Sequence, residues 1–484
     1  MAVVRNLKIV TGLLVNLLIL LIMFDIIIIG SGPGGYVAAI RASQLGMNTA
    51  VVEMAEPGGV CLNWGCIPTK ALLKSVQAMH YAKNAKEYGF NCNEGVTFNI
   101  KDIVDRSRNV SAGMSKGIEY LFKKNKITVI NGFGKITGAT KVQVTDGNGE
   151  ISVYETKNII IATGAKANSL PFAPIDGDKI ISYRQALVPE AIPKSLAVIG
   201  SGAIGSEFAY FYSSLGSEVT LIEFLPSVVP LEDDDVSAQL SRSFRKMGIK
   251  VMTSAKVTNS RINSDSVTLY IETKKGEEVL EVEKVLSAVG VSPNITDIGL
   301  EEAGVTTEKG KIAVDSFYAT NIKGIYAIGD VINTPALAHV ASAEAICCVE
   351  KICGVEREPI DYDNIPACTY TSPEIASVGK REKELKDNGV AYKVGKFPFT
   401  ASGKASAAGE RDGFVKLLID AETDKILGAH LIGANVTEML SGIVVARKLG
   451  ATARDYINSI HPHPTMSEAI MEAAAASHGE VIHI

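Results

Sequence analysis

No sign of charge dominates this 484-residue chain: 48 Lys and Arg stand against 53 Asp and Glu, a net charge of −5 spread along the sequence. It lacks the concentrated basic field that holds nucleic acid phosphates, so nucleic acid is excluded as an expected partner. Cysteine is scarce as well. Seven residues are odd in number and too few for a secreted disulfide scaffold. They point to a reducing compartment, the cytoplasm by default, where a disulfide serves chemistry. A disordered composition is also missing, with 46% apolar and 21% charged residues, 17 Pro and 44 Gly. At roughly 150 residues per domain the length corresponds to about three domains, each with a core of its own.

The apolar run at residues 9–24, behind Arg5 and Lys8, resembles a signal peptide or a short anchor. It carries Gly12 and Asn16, lacks a small-x-small cleavage site, and falls short of the ~20 residues a spanning helix needs. It also passes without a linker into Phe24-Asp25-Ile26-Ile27-Ile28-Ile29, a strand expected to be central in its sheet. Residues 1–22 are therefore read as an apolar extension, with Met23 as the start of the folded chain and no membrane partner expected.

What is present is a nucleotide signature, twice. The strand ending at Ile29 runs into Gly30-Ser31-Gly32-Pro33-Gly34-Gly35 and then a helix-like stretch, the G-x-G-x-x-G fingerprint in its proper context. Gly30 permits the tight turn, Gly32 lets backbone approach a pyrophosphate, Gly35 allows close helix packing, and the helix N-terminus offers N–H groups to the anion. Glu53, closing the next strand about twenty residues on, can accept hydrogen bonds from a ribose diol. The unit recurs with Gly200, Gly202 and Gly205 after the strand at 196–199, and with Glu223 after the strand at 219–222. Two fingerprints imply two dinucleotides. Glu223 repels a 2′-phosphate and Phe224-Leu225-Pro226 supplies no Arg, so the second site is expected to take NAD rather than NADP.

Two further apolar strands end in glycine turns, one at Thr163-Gly164 and one at Gly329-Asp330. Asp330 can hold a ribityl hydroxyl of a bound flavin or cap the helix that follows. Between the first fingerprint and the next helix stand Cys61 and Cys66. In a regular helix their Cα atoms would lie ~7.5 Å apart along the axis, beyond disulfide range. A bridge therefore requires a bend, which Gly65 and Pro68 allow, and such a bridge is locally strained and reducible. The spacing is not C-x2-C and no second pair answers it, so no metal is expected. Lys70, one turn after Cys66, can support a thiolate or a reduced flavin, with Glu207 as an ion-pair partner, or either can be a solvated charge. Near the end, His461-Pro462-His463-Pro464-Thr465-Met466-Ser467-Glu468 offers an imidazole suited to thiol proton exchange. Thr465-x-x-Glu468 also reads as a capping box, leaving Glu468 either a helix cap or the group that orients His463.

With these elements in order, residues 23–484 resemble the pyridine nucleotide–disulfide oxidoreductases, most specifically in G-G-V-C-L-N-W-G-C-I-P-T-K at 58–70 and H-P-H-P-T-M-S-E at 461–468. The resemblance implies an α/β fold with two Rossmann-like dinucleotide-binding domains, for FAD and NAD, and a C-terminal α+β dimerisation domain. FAD-binding residues 23–170 would be followed by NAD-binding residues 171–281, a second FAD-binding or central part at 282–350, and the dimerisation domain at 351–484. It implies Cys66 facing the flavin, Cys61 exchanging with substrate, and His463, oriented by Glu468, as acid–base group at the dithiol of the other subunit of a homodimer. Lys70 and Glu207 would pair beside the flavin, and Gly290 and Ala338 would flank the cofactors. The branch most resembled oxidises dihydrolipoyl groups with NAD, so lipoyl domains of 2-oxoacid dehydrogenase complexes, or the glycine cleavage H protein, are the expected partners. A membrane-associated NADH:quinone dehydrogenase shares the nucleotide folds but has no need of Cys61, Cys66 or His463. One departure stands out: where the family often has Arg after Ala288-Val289-Gly290, this chain has Val291.

Overall fold

The structure, a computed structural model, describes residues 23–91 and 95–484. The N-terminal extension and Cys92 lie outside the described residues. The chain forms two compact units. The first comprises the described part of Met1–Pro68 together with Arg108–Lys166 and Val291–Ile360, and the second Thr69–Ser107, Ala167–Gly290 and Asp361–Ile484.

In the first unit, Phe24–Ile29 lies between Thr49–Glu53 and Ile151–Ile161 and runs parallel to both. Thr128–Asn131 pairs beyond Thr49–Glu53, and Ile325–Ala327 pairs with Ile151–Ile161. Such a sheet is covered on both faces, which is why Ile26, Ile27 and Ile28 can follow one another without a polar alternate; all three are fully buried. Ile151–Ile161 begins well before the apolar run at 158. Its first half pairs antiparallel with Lys141–Thr145 and is largely exposed, so no apolar pattern announces it. Helix Pro33–Gln44 buries Gly34, Gly35, Ala38, Ala39 and Ala42, and packs with Ala338–Ile352, Gly34 lying close to Ala341.

In the second unit, Ser195–Ile199 is flanked by Glu218–Ile222 and Lys284–Ser287 in a parallel sheet, edged by Lys250–Met252 and Ile180–Ile181. A three-stranded antiparallel sheet, Lys256–Ile262, Val267–Thr273 and Gly276–Val282, accompanies it. The C-terminal portion is a five-stranded antiparallel sheet in which Phe414–Asp420 sits between Ile426–Gly433 and Tyr392–Pro398. Helices Val436–Lys448 and Glu468–Ser477 pack on it. Phe414–Asp420 is buried on both faces, Lys416 included. Among the described residues no helix is long and apolar enough to cross a membrane.

Candidate active site

The two fingerprints fold into near-identical turns. Gly30 has φ +100° and Gly200 φ +97°, and a Cβ on either would stand 2.4 Å from a carbonyl oxygen, that of Ala162 or Ala288. A Cβ on Gly35 or Gly205 would lie 1.9 Å from the carbonyl oxygen of Gly30 or Gly200, so only glycine lets each helix start this close to its strand. Gly32 and Gly202 differ from these: among the described residues, no atom other than those of their immediate chain neighbours lies within 4 Å of where their Cβ would be. The backbone there is open to a ligand, at the head of helices Pro33–Gln44 and Ala203–Ser214, which no side chain caps. This geometry fits a pyrophosphate held on peptide N–H groups at each turn.

Each turn also grips its acid. The backbone N–H and hydroxyl of Ser31 donate to Glu53 Oε2 at 2.8 and 2.6 Å, and Ala55 N–H donates to Oε1 at 2.8 Å. Ser201 and Leu225 hold Glu223 in the same way, at 2.8, 2.7 and 2.8 Å. Ser31 and Ser201 were not singled out by the motif reading, although a serine at the same variable position of both fingerprints was a signal. They fix the carboxylate beside the turn and leave it further acceptor capacity for a ribose.

The cysteine segment is built onto the first turn. Gly58 N–H donates to the Ser31 carbonyl at 3.1 Å, and a Cβ on Gly59, at φ +60°, would stand 2.7 Å from Gly32 Cα. Cys61 then lies in the short helix Gly59–Trp64, and Cys66 opens the helix Cys66–Lys83. Between them Gly65, at φ −145° and ψ −112°, interrupts the helical path. A Cβ on it would stand 3.1 Å from the Val60 carbonyl oxygen and 3.4 Å from Cys61 Cα. The bend needed for a bridge is therefore present, at the glycine. Cys61 is half-buried and Cys66 exposed at a helix N-terminus, where the macrodipole favours negative charge. Of the other described cysteines, Cys347 and Cys348 are buried as small hydrophobes, Cys368 is half-buried and Cys353 is exposed.

Thr163 and Gly164 form a turn against Gly30, with Thr163 Cα 3.3 Å from the notional Gly30 Cβ. Asn294, unremarked in the sequence, braces it: its carbonyl accepts from Thr163 Oγ1 at 2.7 Å and its N–H donates to the Gly164 carbonyl at 2.8 Å. Asp330 lies in the 3-10 turn Gly329–Val331, and helix Ala338–Ile352 begins well after it with Leu337 at its cap, so Asp330 does not cap that helix. Burial raises its carboxyl above the ordinary range, with Lys311 pulling the other way. Fully buried Glu344 takes the Gly329 N–H at 2.7 Å and sets the turn. Ala338 opens its helix, half-buried.

Lys70 and Glu207 form an ion pair, with Nζ 3.0 and 2.9 Å from the two carboxylate oxygens. Glu207 is 5% exposed, its Oε1 also accepts the Tyr370 N–H at 3.0 Å, and Nζ stands 4.4 Å over the Tyr370 ring. Neither is a solvated surface charge. Gly290, at φ +91°, accepts at its carbonyl from Asn168 N–H at 3.0 Å.

His463 Nδ1 lies 2.8 Å from Glu468 Oε1, while Glu468 Oε2 accepts Thr465 N–H at 2.7 Å. Glu468 thus performs one half of a capping box and orients the imidazole at once. The other half is missing, since Thr465 Oγ1 donates to the Pro462 carbonyl and Ser467 occupies the cap position. Burial works to raise the Glu468 carboxyl, but the Thr465 N–H and His463 outweigh it and hold the group below the usual range. With Nδ1 turned to the carboxylate, the other ring nitrogen is presented on a side chain 77% exposed. His461 stacks on Tyr456 at 6.1 Å, which occupies it structurally.

Residues 24–345 match the family model for pyridine nucleotide-disulphide oxidoreductases, and residues 365–474 match the dimerisation domain of the same family. The chain belongs to the pyridine nucleotide-disulphide oxidoreductase family. Within it, the chain is 46% identical over 476 residues to a dihydrolipoyl dehydrogenase of Rhizobium etli, covering 95% of this chain and 99% of that one. It is 45% identical to that of Zymomonas mobilis, with 95% and 99% covered. The crystal structure of LpdA from Mycobacterium tuberculosis superposes with a TM-score of 0.87 at 28% identity, over 93% of this chain and 98% of that one. The fold is that of the family: two dinucleotide-binding domains of α/β type with a C-terminal dimerisation domain.

Proposed function

We propose that this oxidoreductase is a dihydrolipoyl (dihydrolipoamide) dehydrogenase, which oxidises protein-bound dihydrolipoyl groups to lipoyl and reduces NAD to NADH. The observation that carries the reading is the cysteine segment seated on the first dinucleotide turn, with its glycine bend between Cys61 and Cys66. Residues 23–170 and 282–350 are assigned to FAD and residues 171–281 to NAD, with Gly30, Gly32, Gly35, Glu53, Thr163, Gly164, Asp330 and Ala338 serving FAD. Gly200, Gly202, Gly205 and Glu223 serve NAD, and Gly290 flanks the cofactors. Residues 351–484 are assigned to a homodimer interface.

In the forward direction a dihydrolipoyl thiolate attacks Cys61 Sγ of the Cys61–Cys66 disulfide, which releases the Cys66 thiolate and leaves a mixed disulfide on Cys61. The second lipoyl sulfur attacks the mixed disulfide, lipoyl leaves oxidised, and the two cysteines remain reduced by two electrons. His463 of one subunit accepts the substrate thiol proton on Nε2 at the dithiol of its partner, with Glu468 holding Nδ1–H. The first residue of a helix is a suitable place for the negative Cys66 sulfur. Glu207 keeps the Lys70 ammonium in place beside it in sequence, and Ser31 and Ser201 keep the ribose acids turned to their cofactors. When bound, FAD and NAD supply the electron and hydride transfer that returns the pair to the disulfide. The lipoyl arm is assigned to a 2-oxoacid dehydrogenase complex or the glycine cleavage H protein, in the cytoplasm.

Cys61→Ser tests the reading. It is expected to abolish dihydrolipoamide-driven NAD reduction while leaving bound flavin and NADH:ferricyanide activity. Full lipoamide turnover in this variant, or a wild-type protein that reduces a quinone faster than lipoamide, would overturn it.

A further inference from the structure

Leu62, Asn63 and Trp64, which follow Cys61 on the way to Cys66, are anchored. Leu62 is buried in the core. Asn63, 5% exposed, donates through Nδ2 to the Pro57 and Gly59 carbonyls at 3.0 and 3.1 Å, and its Oδ1 accepts from Ser115 Oγ at 2.8 Å. The Asn63 carbonyl accepts from Arg108 Nη2 at 2.5 Å. The same guanidinium lies with its Cζ 4.7 Å over the Trp64 ring, and Nη2 reaches Ser111 Oγ at 2.8 Å. Arg108, Ser111 and Ser115 all stand on helix Ile100–Lys124. Burial pulls the Arg108 guanidinium below its ordinary range, with Glu56 opposing, and Nε finds no hydrogen-bond partner among the described residues. Such a group is retained at a cost, and what it contacts is the span between the sulfurs.

We propose that Arg108 is a positioning residue that sets the reduction potential of the Cys61–Cys66 pair, an inference that rests on the proposed redox role of these cysteines. Forming the disulfide from the dithiol joins Sγ to Sγ and releases two electrons and two protons. Its equilibrium depends on how often the reduced segment brings the two sulfurs together. With Asn63 and Trp64 held by one planar guanidinium, the reduced segment keeps the bent geometry that brings the sulfurs together. Without that hold, residues 63–65 sample other conformations, ring closure becomes rarer, and the disulfide is more readily reduced. A lysine at 108 keeps the charge but neither the planar fork nor the stacked face.

The test equilibrates flavin-loaded wild type, Arg108→Ala and Arg108→Lys with lipoamide/dihydrolipoamide mixtures without oxygen, then quenches with an alkylating reagent and counts free thiols in the peptide spanning residues 58–70. Both variants are expected to bind flavin and reduce ferricyanide with NADH. Each should show a disulfide-forming equilibrium constant about tenfold lower, equivalent to a potential about 30 mV more positive. Trp64 is the only tryptophan, and its emission maximum is expected to move on reduction in Arg108→Ala but stay in place in the wild type. A wild-type potential in both variants overturns the proposal. So does a wild-type potential in Arg108→Lys alone, since charge would then suffice. Should Arg108→Ala lose its flavin, Arg108→Lys carries the same decision. A wild-type pair that never exchanges with the lipoamide couple sinks the functional reading, and with it this inference.

Discussion

Lys416→Met is expected to cost more stability than any exposed-charge substitution in the chain. Lys416 Nζ stands 2.8 Å from Asp233 Oδ1, 2.6 Å from Glu382 Oε2 and 3.2 Å from Asp235 Oδ2, with the lysine side chain 2% and the Asp233 side chain 1% exposed. Burial works against its charge, but the hydrogen bonds to Asp233 and Glu382 outweigh it and raise the ammonium above its ordinary range. Methionine fills nearly the same volume, so packing is largely kept and the loss is electrostatic. Removing one partner of a buried ion pair costs about 3 to 5 kcal/mol, because the remaining charge is left uncompensated. Asp233 retains the Asp235 N–H at 3.1 Å, which favours the lower end of that range. At about 3 kcal/mol the melting temperature falls on the order of 10 °C. The pH dependence has a definite sign. Burial raises the Glu382 carboxyl, but hydrogen bonds to Lys386, Lys416 and Tyr392 outweigh it and bring it down to about 2, from an ordinary 4.5. A carboxylate depressed in the folded state contributes stability that is present above 4.5 and lost as pH falls towards 2. Without the Lys416 hydrogen bond, Glu382 in the variant protonates more readily. The deficit relative to wild type is therefore largest near pH 7 and shrinks on acidification towards pH 4. Urea unfolding and thermal melts at both pH values measure it, with Lys416→Met/Asp233→Asn expected to recover part of the loss. A deficit under about 1 kcal/mol at pH 7, or one that widens as pH falls, would refute the reasoning.

Three other substitutions separate parts of the site. Gly205→Ala places a Cβ 1.9 Å from the Gly200 carbonyl and is expected to raise the KM for NAD at least tenfold with flavin content intact. Gly35→Ala, with the same clash at Gly30, should lose flavin instead, and equal losses of both cofactors in both variants would contradict the assignment of one site to each. Glu468→Gln removes the carboxylate that holds His463 Nδ1–H, and lipoamide kcat should drop about 10- to 100-fold with ferricyanide reduction unchanged; an unchanged kcat would reduce Glu468 to its contact with Thr465. Burial pushes the Glu232 carboxyl up to about 7, against Ser377 and Arg381. A folded acid raised in this way binds its proton more tightly than the unfolded chain, so its contribution is lost as pH rises through 7. Glu232→Gln should remove that slope and stabilise the protein by about 2 kcal/mol at pH 8, and urea midpoints with the same pH dependence in both proteins would count against it.

Local chemistry makes much of this protein legible in its sequence. An all-apolar strand, a glycine with φ near +100°, a helix and an acid about twenty residues on form a unit whose parts lie close in sequence, and the geometry follows from sterics. The same is true of the break at Gly65 and of the short reach from Glu468 to His463. Strand Phe414–Asp420 is largely apolar, but nothing local shows that Lys416 within it is buried. The antiparallel half of Ile151–Ile161 was missed because one exposed face leaves no continuous apolar run.

Read alone, the chain already contained the two glycine turns with their acids, the Cys61–Cys66 segment with its glycine bend, and the His463–Glu468 segment, because each is a matter of backbone freedom and side-chain chemistry within a few residues. Tertiary structure alone decided what supports them. Arg108 meets Asn63 across 45 positions, Lys70 meets Glu207 across 137, and Lys416 meets Asp233 across 183. No periodicity encodes such pairings, since a charge reads alike in solvent and in a core. Only the packing of sheets and helices, by taking these groups out of water together, turned them from candidates for solvation into fixed partners.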